Sequence, residues 1–174
     1  MPNTIKRHFL KEKETEQLLR ALSQRLHIET HKLLGSKRHI ELAETESTEI
    51  YILHGKPILT RLEGGISPTL RFEEIFRLLP EILVDRGAIP FICNGADVMA
   101  PGIVRIRGDF NENDILLIAD EKHEKPVALG IALYNSERTR KLKHGKAAKN
   151  IHFIGDHLWN LLKKLRQESP KNKP

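Results

Sequence analysis

Cysteine occurs once in the 174 residues, at Cys93, so no internal disulfide framework can form. Aromatic residues make up only 5% of the chain, with a single tryptophan. Ile and Leu must therefore fill most of any core. No apolar run approaches the ~20 residues needed to span a bilayer. The N-terminal sequence MPNTIKRHFLKEKE lacks the apolar stretch of a secretion signal. The expectation is a cytoplasmic protein with no membrane partner. Also missing are a Walker A loop and a Gly-x-Gly-x-x-Gly turn after a strand. No Ser, Cys or Asp nucleophile has an identifiable base. HIETH, His27 to His31, has two histidines at the i, i+4 spacing of a helical zinc pair. It lacks the glutamate that follows the first histidine in metalloproteases. We therefore expect no catalytic residues, no metal and no cofactor.

Charge is present in quantity but unevenly placed. Charged residues make up 30% of the chain, with a formal net charge of +6. Residues 1–40 hold nine Lys/Arg against four Asp/Glu, a net of +5. Residues 41–134 hold nine against sixteen, a net of −7, and residues 135–174 eleven against three, a net of +8. Two basic ends that meet in space would make one cationic face, which attracts phosphates. Two separately solvated ends are the alternative.

Periodicity divides the chain in two. Thr4 to Phe9 alternates as a short strand. Leu18, Leu19, Leu22 and Leu26 then share a helical face, with Glu12, Glu14 and Glu16 early and Arg20 and Arg25 late, as the helix dipole favours. Three strands follow, around Ile40–Leu42, Ile50–Leu53 and Pro57–Leu62, with a tight turn at His54-Gly55. Gly64-Gly65 ends that hairpin, and a helix is expected between Pro68 and Pro80. Beyond it lie short β-rich runs at Ile89–Cys93, Val104–Ile106, Ile115–Ala119, Val127–Tyr134 and Ile151–Ile154, a spacing that suggests a small barrel or sandwich. Phe91 and Cys93 read as buried positions of the first run. Trp159 reads as a core or anchoring residue beside Leu158, Leu161 and Leu162.

The most informative stretch is VDRGAIPFICNGADVMAPGIV, Val84 to Val104. Asp85 is placed to cap a short turn through Arg86, Gly87 and Ala88. Asn94-Gly95-Ala96 is a turn after an apolar run, and Pro101-Gly102 is a second turn before the next strand. Asp97 is better explained by such a turn than by chemistry. Small residues in two neighbouring turns let a second backbone come close. A groove of that kind suits a phosphodiester backbone, read by shape and phosphate position. For any single glycine, a structural turn is sufficient explanation. The joint spacing with Ala88 and Ala96 favours the groove. KLKHGKAAKN then places Lys143, Lys146 and Lys149 around Gly145, which is either a solvated loop or a phosphate contact. Arg138 and Arg140 are weaker candidates.

With Asp85, Gly87-Ala88, Gly95-Ala96-Asp97-Val98-Met99 and Pro101-Gly102-Ile103 in this order, the segment resembles the start of a PUA domain, the module of pseudouridine synthases and archaeosine transglycosylases. DILLIAD, PVALGIALYNS and GKAAKNIHFIGDHLWNL continue the resemblance to Leu161. Upstream, GKPILTRLEGGISPTLRF and LLPEILVDRGAI, with Gly55 and Pro68-Thr69-Leu70-Arg71, resemble the family of the malignant T-cell amplified sequence protein and its ligatin relatives. The downstream matches to that family include Met99, Asn150-Ile151-His152 and Leu158-Trp159. Few residues before His54 match. The chain resembles the short, archaeal-type form.

The resemblance implies an α+β protein: a small N-terminal α/β (pre-PUA) domain over 1–82, a PUA-type β-barrel over 83–165 and a disordered tail over 166–174. It implies translation-associated RNA binding, at a tRNA acceptor end or ribosomal RNA of the small subunit, with a translation factor as a further partner. The expected RNA-binding set is Asp85, Arg86, Gly87, Ala88, Asn94, Gly95, Ala96, Asp97, Met99, Pro101 and Gly102, joined by Lys143, Gly145, Lys146 and Lys149. Two rivals differ in kind: an accessory factor presenting RNA to a modifying enzyme, and a protein-interaction module whose acidic middle docks a basic partner.

Overall fold

The structure is a computed structural model and describes residues 4–36 and 38–168. The chain forms two compact units. One takes the residues up to Glu73 together with those from Asn160 onward, and the other is the continuous stretch Glu74–Trp159. This division lies upstream of the expected boundary at residue 82. The last helix also runs to Glu168, so Arg166, placed in the tail by the sequence reading, is helical. The rest of the expected tail, 169–174, lies outside the described residues.

The first unit is built on a five-stranded antiparallel sheet. Its strands are β1 (Lys6–Phe9), β2 (Ile40–Glu44), β3 (Glu49–Leu53), β4 (Lys56–Leu62) and β5 (Gly65–Pro68), adjacent in that order. Helix α1 (Glu12–Leu26) buries Leu18, Leu19, Leu22 and Leu26, the expected apolar face. The Glu14 carboxylate accepts the Lys11 backbone N–H at 2.8 Å, satisfying one of the orphan donors of a helix start. His54 and Gly55 have φ of 49° and 77°, the left-handed pair that a two-residue hairpin turn requires. Gly64 and Gly65 do not finish the sheet. They turn the chain into β5, which the sequence reading missed.

The helix expected between Pro68 and Pro80 shrinks to one turn, α3 (Glu73–Phe76). The reason is local competition for hydrogen bonds. Pro68 pairs within the sheet. The buried Thr69 hydroxyl donates to the Pro57 carbonyl at 2.7 Å and accepts the Arg71 N–H at 3.1 Å. The backbone here is committed to the sheet edge and cannot start a helix.

The second unit is a curled six-stranded sheet. It contains β6 (Glu81–Val84), β7 (Val98–Met99), β8 (Ile103–Arg107), β9 (Ile115–Asp120), β10 (Pro126–Ala132) and β11 (Lys146–Phe153), in the order β7-β11-β10-β9-β6-β8. Only the β6–β9 pair is parallel. Register shifts interrupt β6–β8, β9–β10, β10–β11 and β7–β11, and such bulges bend and twist a sheet toward closure. At Gly130 a Cβ would lie 3.0 Å from the Lys149 carbonyl oxygen, so β10 and β11 approach closely only because that side chain is absent. Ile82, Val84, Ile92, Val98, Phe110, Leu116, Ile118 and Val127 fill the interior.

The apolar run at Ile89–Cys93 is not a strand. It forms a short helix, α4 (Ile89–Ile92), with Pro90 in its first turn. Proline suits the first turn of a helix, where its missing N–H costs nothing. Helical spacing buries Ile92 and leaves Phe91 70% exposed, where alternation had predicted burial. Cys93 is half-buried, and burial raises its thiol pKa above the ordinary value. Two more helices complete the chain: α5 (Ser136–Lys141), and α6 (His157–Glu168), along which the chain leaves the second unit.

Candidate nucleic-acid interface

Asp85 begins the candidate surface. Its Oδ1 accepts the Ala88 N–H at 2.8 Å, which closes the expected turn, and its own N–H donates to the Gly102 carbonyl at 2.9 Å. The turn from Asp85 to Ala88 is thereby tied to the Pro101-Gly102 segment. A Cβ on Gly102 would sit 3.1 Å from the Ala88 Cβ. The two small residues touch because neither has more to offer. Arg86, Gly87 and Pro101 are exposed beside this contact.

A second group of residues surrounds Asp97. Its Oδ1 accepts the Asn150 N–H at 2.9 Å, and its Oδ2 lies 2.9 Å from the Lys146 Nζ. Burial alone would raise this carboxyl pKa. The Asn150 N–H, Lys146 and Lys149 outweigh it and hold the group below the usual carboxylate range. Asn150 also donates through Nδ2 to the Ile92 and Ala96 carbonyls, at 2.9 and 3.0 Å. Gly95 has φ of 94°, a conformation that strains other residues, and a Cβ there would lie 3.5 Å from the Phe153 ring. Asn94, Gly95 and Ala96 are exposed.

The two groups are joined by a single 3₁₀ turn, Ala100–Gly102. At one end the Ala100 N–H donates to the Gly145 carbonyl at 2.8 Å. At the other end Gly102 rests on Ala88. Three residues of 3₁₀ helix span only ~6 Å. The lysine-bearing turn and the small-residue turn are therefore neighbours. Met99 pairs with Lys146 across β7–β11 and is 45% exposed.

Not every expected residue contributes in the expected way. Lys146 is engaged with Asp97, and Lys149 is only partly exposed. Lys143 and Gly145 are exposed at the turn. Asp85 accepts within its own turn, as the capping reading predicts, whereas Asp97 accepts the Asn150 N–H from β11 and pairs with Lys146 instead of closing a local turn. Sequence reasoning missed Phe91 as a surface aromatic, because it assigned the wrong period to that run. It also missed α5, which leads into the lysine turn. There Arg138 stacks 4.0 Å over the Tyr134 ring, and Arg140 pairs with Asp109 at 3.0 Å.

Metal coordination finds no support in HIETH. Helix α1 ends at Leu26 and the next, α2 (Thr30–Leu34), starts three residues after His27, so the two histidines do not share a helix. His31 Nδ1 contacts Arg38 Nη2 at 2.6 Å. Among the described residues, no group of three or more His, Cys, Asp or Glu is placed to hold a metal ion. Likewise, no helix there is long and apolar enough to cross a membrane.

Residues 80–154 match the PUA domain family, and residues 6–72 match a family described as a domain of unknown function, DUF1947. Malignant T-cell-amplified sequence 2 of Homo sapiens is 30% identical over 121 residues, which cover 67% of this chain and 67% of that protein. The chain belongs to the malignant T-cell-amplified sequence family. Other relatives agree. An uncharacterized protein of Methanocaldococcus jannaschii is 37% identical over 89% of this chain and 96% of its own length. Translation machinery-associated protein 20 of Schizosaccharomyces pombe is 31% identical over 65% of this chain and 66% of its own. The chain thus spans about two thirds of these two eukaryotic relatives. Among solved structures, a PUA domain protein of Aeropyrum pernix K1, crystallised as a tartrate complex, superposes with a TM-score of 0.83 at 30% identity, covering 94% of each chain. The two family matches fall on the two units described above, residues 6–72 on the five-stranded unit and residues 80–154 on the curled sheet.

Proposed function

We propose that this chain is a translation-associated RNA-binding protein that seats a phosphodiester backbone across the Asp85–Ala88 turn, the Asn94–Gly102 segment and the lysines of the turn into β11, Lys143, Lys146 and Lys149. The observation that carries the proposal is the short Ala100–Gly102 bridge, which sets exposed cations beside a surface of small residues. Backbone phosphates can approach small residues closely, and the lysines supply the attraction. Membership of a family whose relatives include a translation machinery-associated protein supports the translation assignment. The RNA is the acceptor end of tRNA or ribosomal RNA of the small subunit, in a cytoplasmic setting. The protein acts by contact and not by catalysis: Asp85 is occupied in capping its own turn, and Asp97 is held by Asn150 and Lys146.

Binding of full-length chain to tRNA across a salt series tests this. Phosphate contacts release counterions, so about three contacts give a log–log slope of roughly −2 to −3. A flat profile, or no binding, refutes the proposal. Removal of the 3′ CCA weakens binding if the acceptor end is the target. Equal affinity without it redirects the assignment to ribosomal RNA, which co-purification with small subunits checks.

A further inference from the structure

A groove of about 640 Å³ runs along one side of α1 in the first unit, and none of its lining residues belongs to the PUA surface. That volume is in the range of small-molecule sites. The helix contributes Glu14, Gln17, Leu18, Ala21, Gln24 and Arg25. Their spacings of three, four and seven place them in one stripe beside the buried face of α1. The sheet forms the opposite wall. Leu42 pairs with Tyr51 and Arg61 with Ile66, and paired residues point to the same side of a sheet. Leu42, Tyr51 and Ile66 are buried and make the floor of the groove apolar.

Two cations line this groove, and they differ. Arg61 Nε lies 2.8 Å from the Glu49 carboxylate, and Arg61 Nη2 donates to the Tyr51 hydroxyl at 3.2 Å. Tyr51 in turn donates to Glu49 at 2.7 Å. Arg61 and Tyr51 together hold the Glu49 carboxyl below the usual carboxylate range. The charge of Arg61 is thereby matched. Among the described residues no carboxylate pairs with Arg25, and its Nε is buried with no hydrogen-bond partner. Its guanidinium lies over Gly64, where a Cβ would come within 3.0 Å of Nη2. Gly64 has φ of 88°, so both the turn and the guanidinium favour glycine there. The remaining lining carboxylate, Glu14, accepts the Lys11 N–H at the helix start. Eleven positions of helix put it ~16 Å along the axis from Arg25. A cation in a last helical turn is favoured by the dipole. The dipole does not account for a buried Nε without an acceptor.

We propose that this groove binds a small molecule with one carboxylate on an apolar body. The carboxylate meets the Arg25 guanidinium, and the body covers Leu42, Tyr51 and Ile66. Guanidinium and carboxylate are both planar and match through paired hydrogen bonds. One unmatched guanidinium balances one carboxylate, whereas a phosphate monoester brings about −1.5 to −2 charges. Gln17 and Gln24 stand exposed on the helix wall and offer amide groups to a polar substituent. The assignment does not rest on RNA binding.

The test titrates the full chain with octanoate and with octanamide, its uncharged counterpart, followed by heteronuclear NMR. Octanoate should shift the amides of Gly64, Gly65 and Ile66 and bind at least fivefold more tightly than octanamide. Arg25→Gln should weaken octanoate at least fivefold and leave octanamide within twofold, a split that collapse of the groove would not produce. Arg20→Gln, an exposed change on α1 outside the groove, controls for net charge and should leave both within twofold. Ala21→Phe, exposed on the groove side of α1, gives a check that spares Arg25. It should weaken both probes at least fivefold at an unchanged melting temperature. Equal affinity for the two probes overturns the proposal, as does the absence of shifts at these three amides with millimolar octanoate. Undiminished octanoate binding in Arg25→Gln or Ala21→Phe, or an equal loss in Arg20→Gln, does the same.

Discussion

Lys146 and Asp97 form an ion pair of 2.9 Å whose carboxylate also receives the Asn150 N–H. The pair ties the end of the lysine turn to the segment before β7. Lys146 is thus a poor probe of RNA contact, because changing it also disturbs the turn. We predict that Lys143→Glu weakens tRNA binding several-fold, with stability within about 0.5 kcal/mol of wild type. Asp97→Ala should instead cost about 1–2 kcal/mol by leaving the half-buried Asn150 N–H without its acceptor. Chemical denaturation and tRNA titration of both variants check this. Equal stability loss in the two would refute the division of labour.

Phe91 offers a second probe. It is 70% exposed on α4, so its removal opens no cavity. If a base stacks there, Phe91→Ala weakens RNA binding by about 1–3 kcal/mol and leaves the melting temperature nearly unchanged. Fluorescence anisotropy with a short single-stranded RNA reads the first effect. Unaltered affinity removes Phe91 from the interface.

Gly102 tests the close contact between the two turns. A Cβ there meets the Ala88 Cβ at 3.1 Å, so Gly102→Val must push the Asp85 turn outward. Overpacking of this kind costs about 1–3 kcal/mol. Ala88→Gly in the same chain should recover part of it, as a double-mutant cycle would show. Strict additivity would mean the strain lies elsewhere. Gly95→Glu is less informative, since φ of 94° strains any side chain whatever the space.

Asp156 carries a pH dependence. It accepts the Trp159 N–H at 2.6 Å at the start of α6, the Phe153 N–H at 3.0 Å, and contacts Nδ1 of the buried His152 at 2.8 Å. Burial alone would raise its pKa, but His152 and the two N–H groups prevail and lower it. A lowered folded-state pKa gives stability that is present above the unfolded value of ~3.9 and lost as pH falls through the folded value. We predict that Asp156→Asn costs about 1–2 kcal/mol at pH 7, as for loss of a helix cap. Its stability should also decline less than that of wild type on acidification below pH ~4. Urea denaturation at pH 7 and pH 3 decides. Parallel declines would assign the acid sensitivity to other carboxylates.

Much of the fold is legible in the sequence. The amphipathic face of α1, the His54-Gly55 hairpin and the Asp85 cap follow from short-range rules of period and turn chemistry. Failures occurred where a distant segment decided the outcome. Thr69 takes the backbone to Pro57, which ended a helix that the apolar spacing favoured. A short apolar run such as Ile89–Cys93 fits strand or helix equally in sequence, and Pro90 in a helical first turn settled it. The engagement of Lys146 by Asp97, 49 positions away, has no local trace.

The division of the chain at Glu73 and again at Asn160 bears on the order of assembly. The second unit is continuous and leaves the ribosome with all its strands in one piece. The first unit lacks its share of α6 until synthesis has passed Leu162 and Leu165, both buried. Domains fold as units during synthesis, usually the N-terminal one first. Here that order is reversed at its final step. The unit that begins the chain is the last to close.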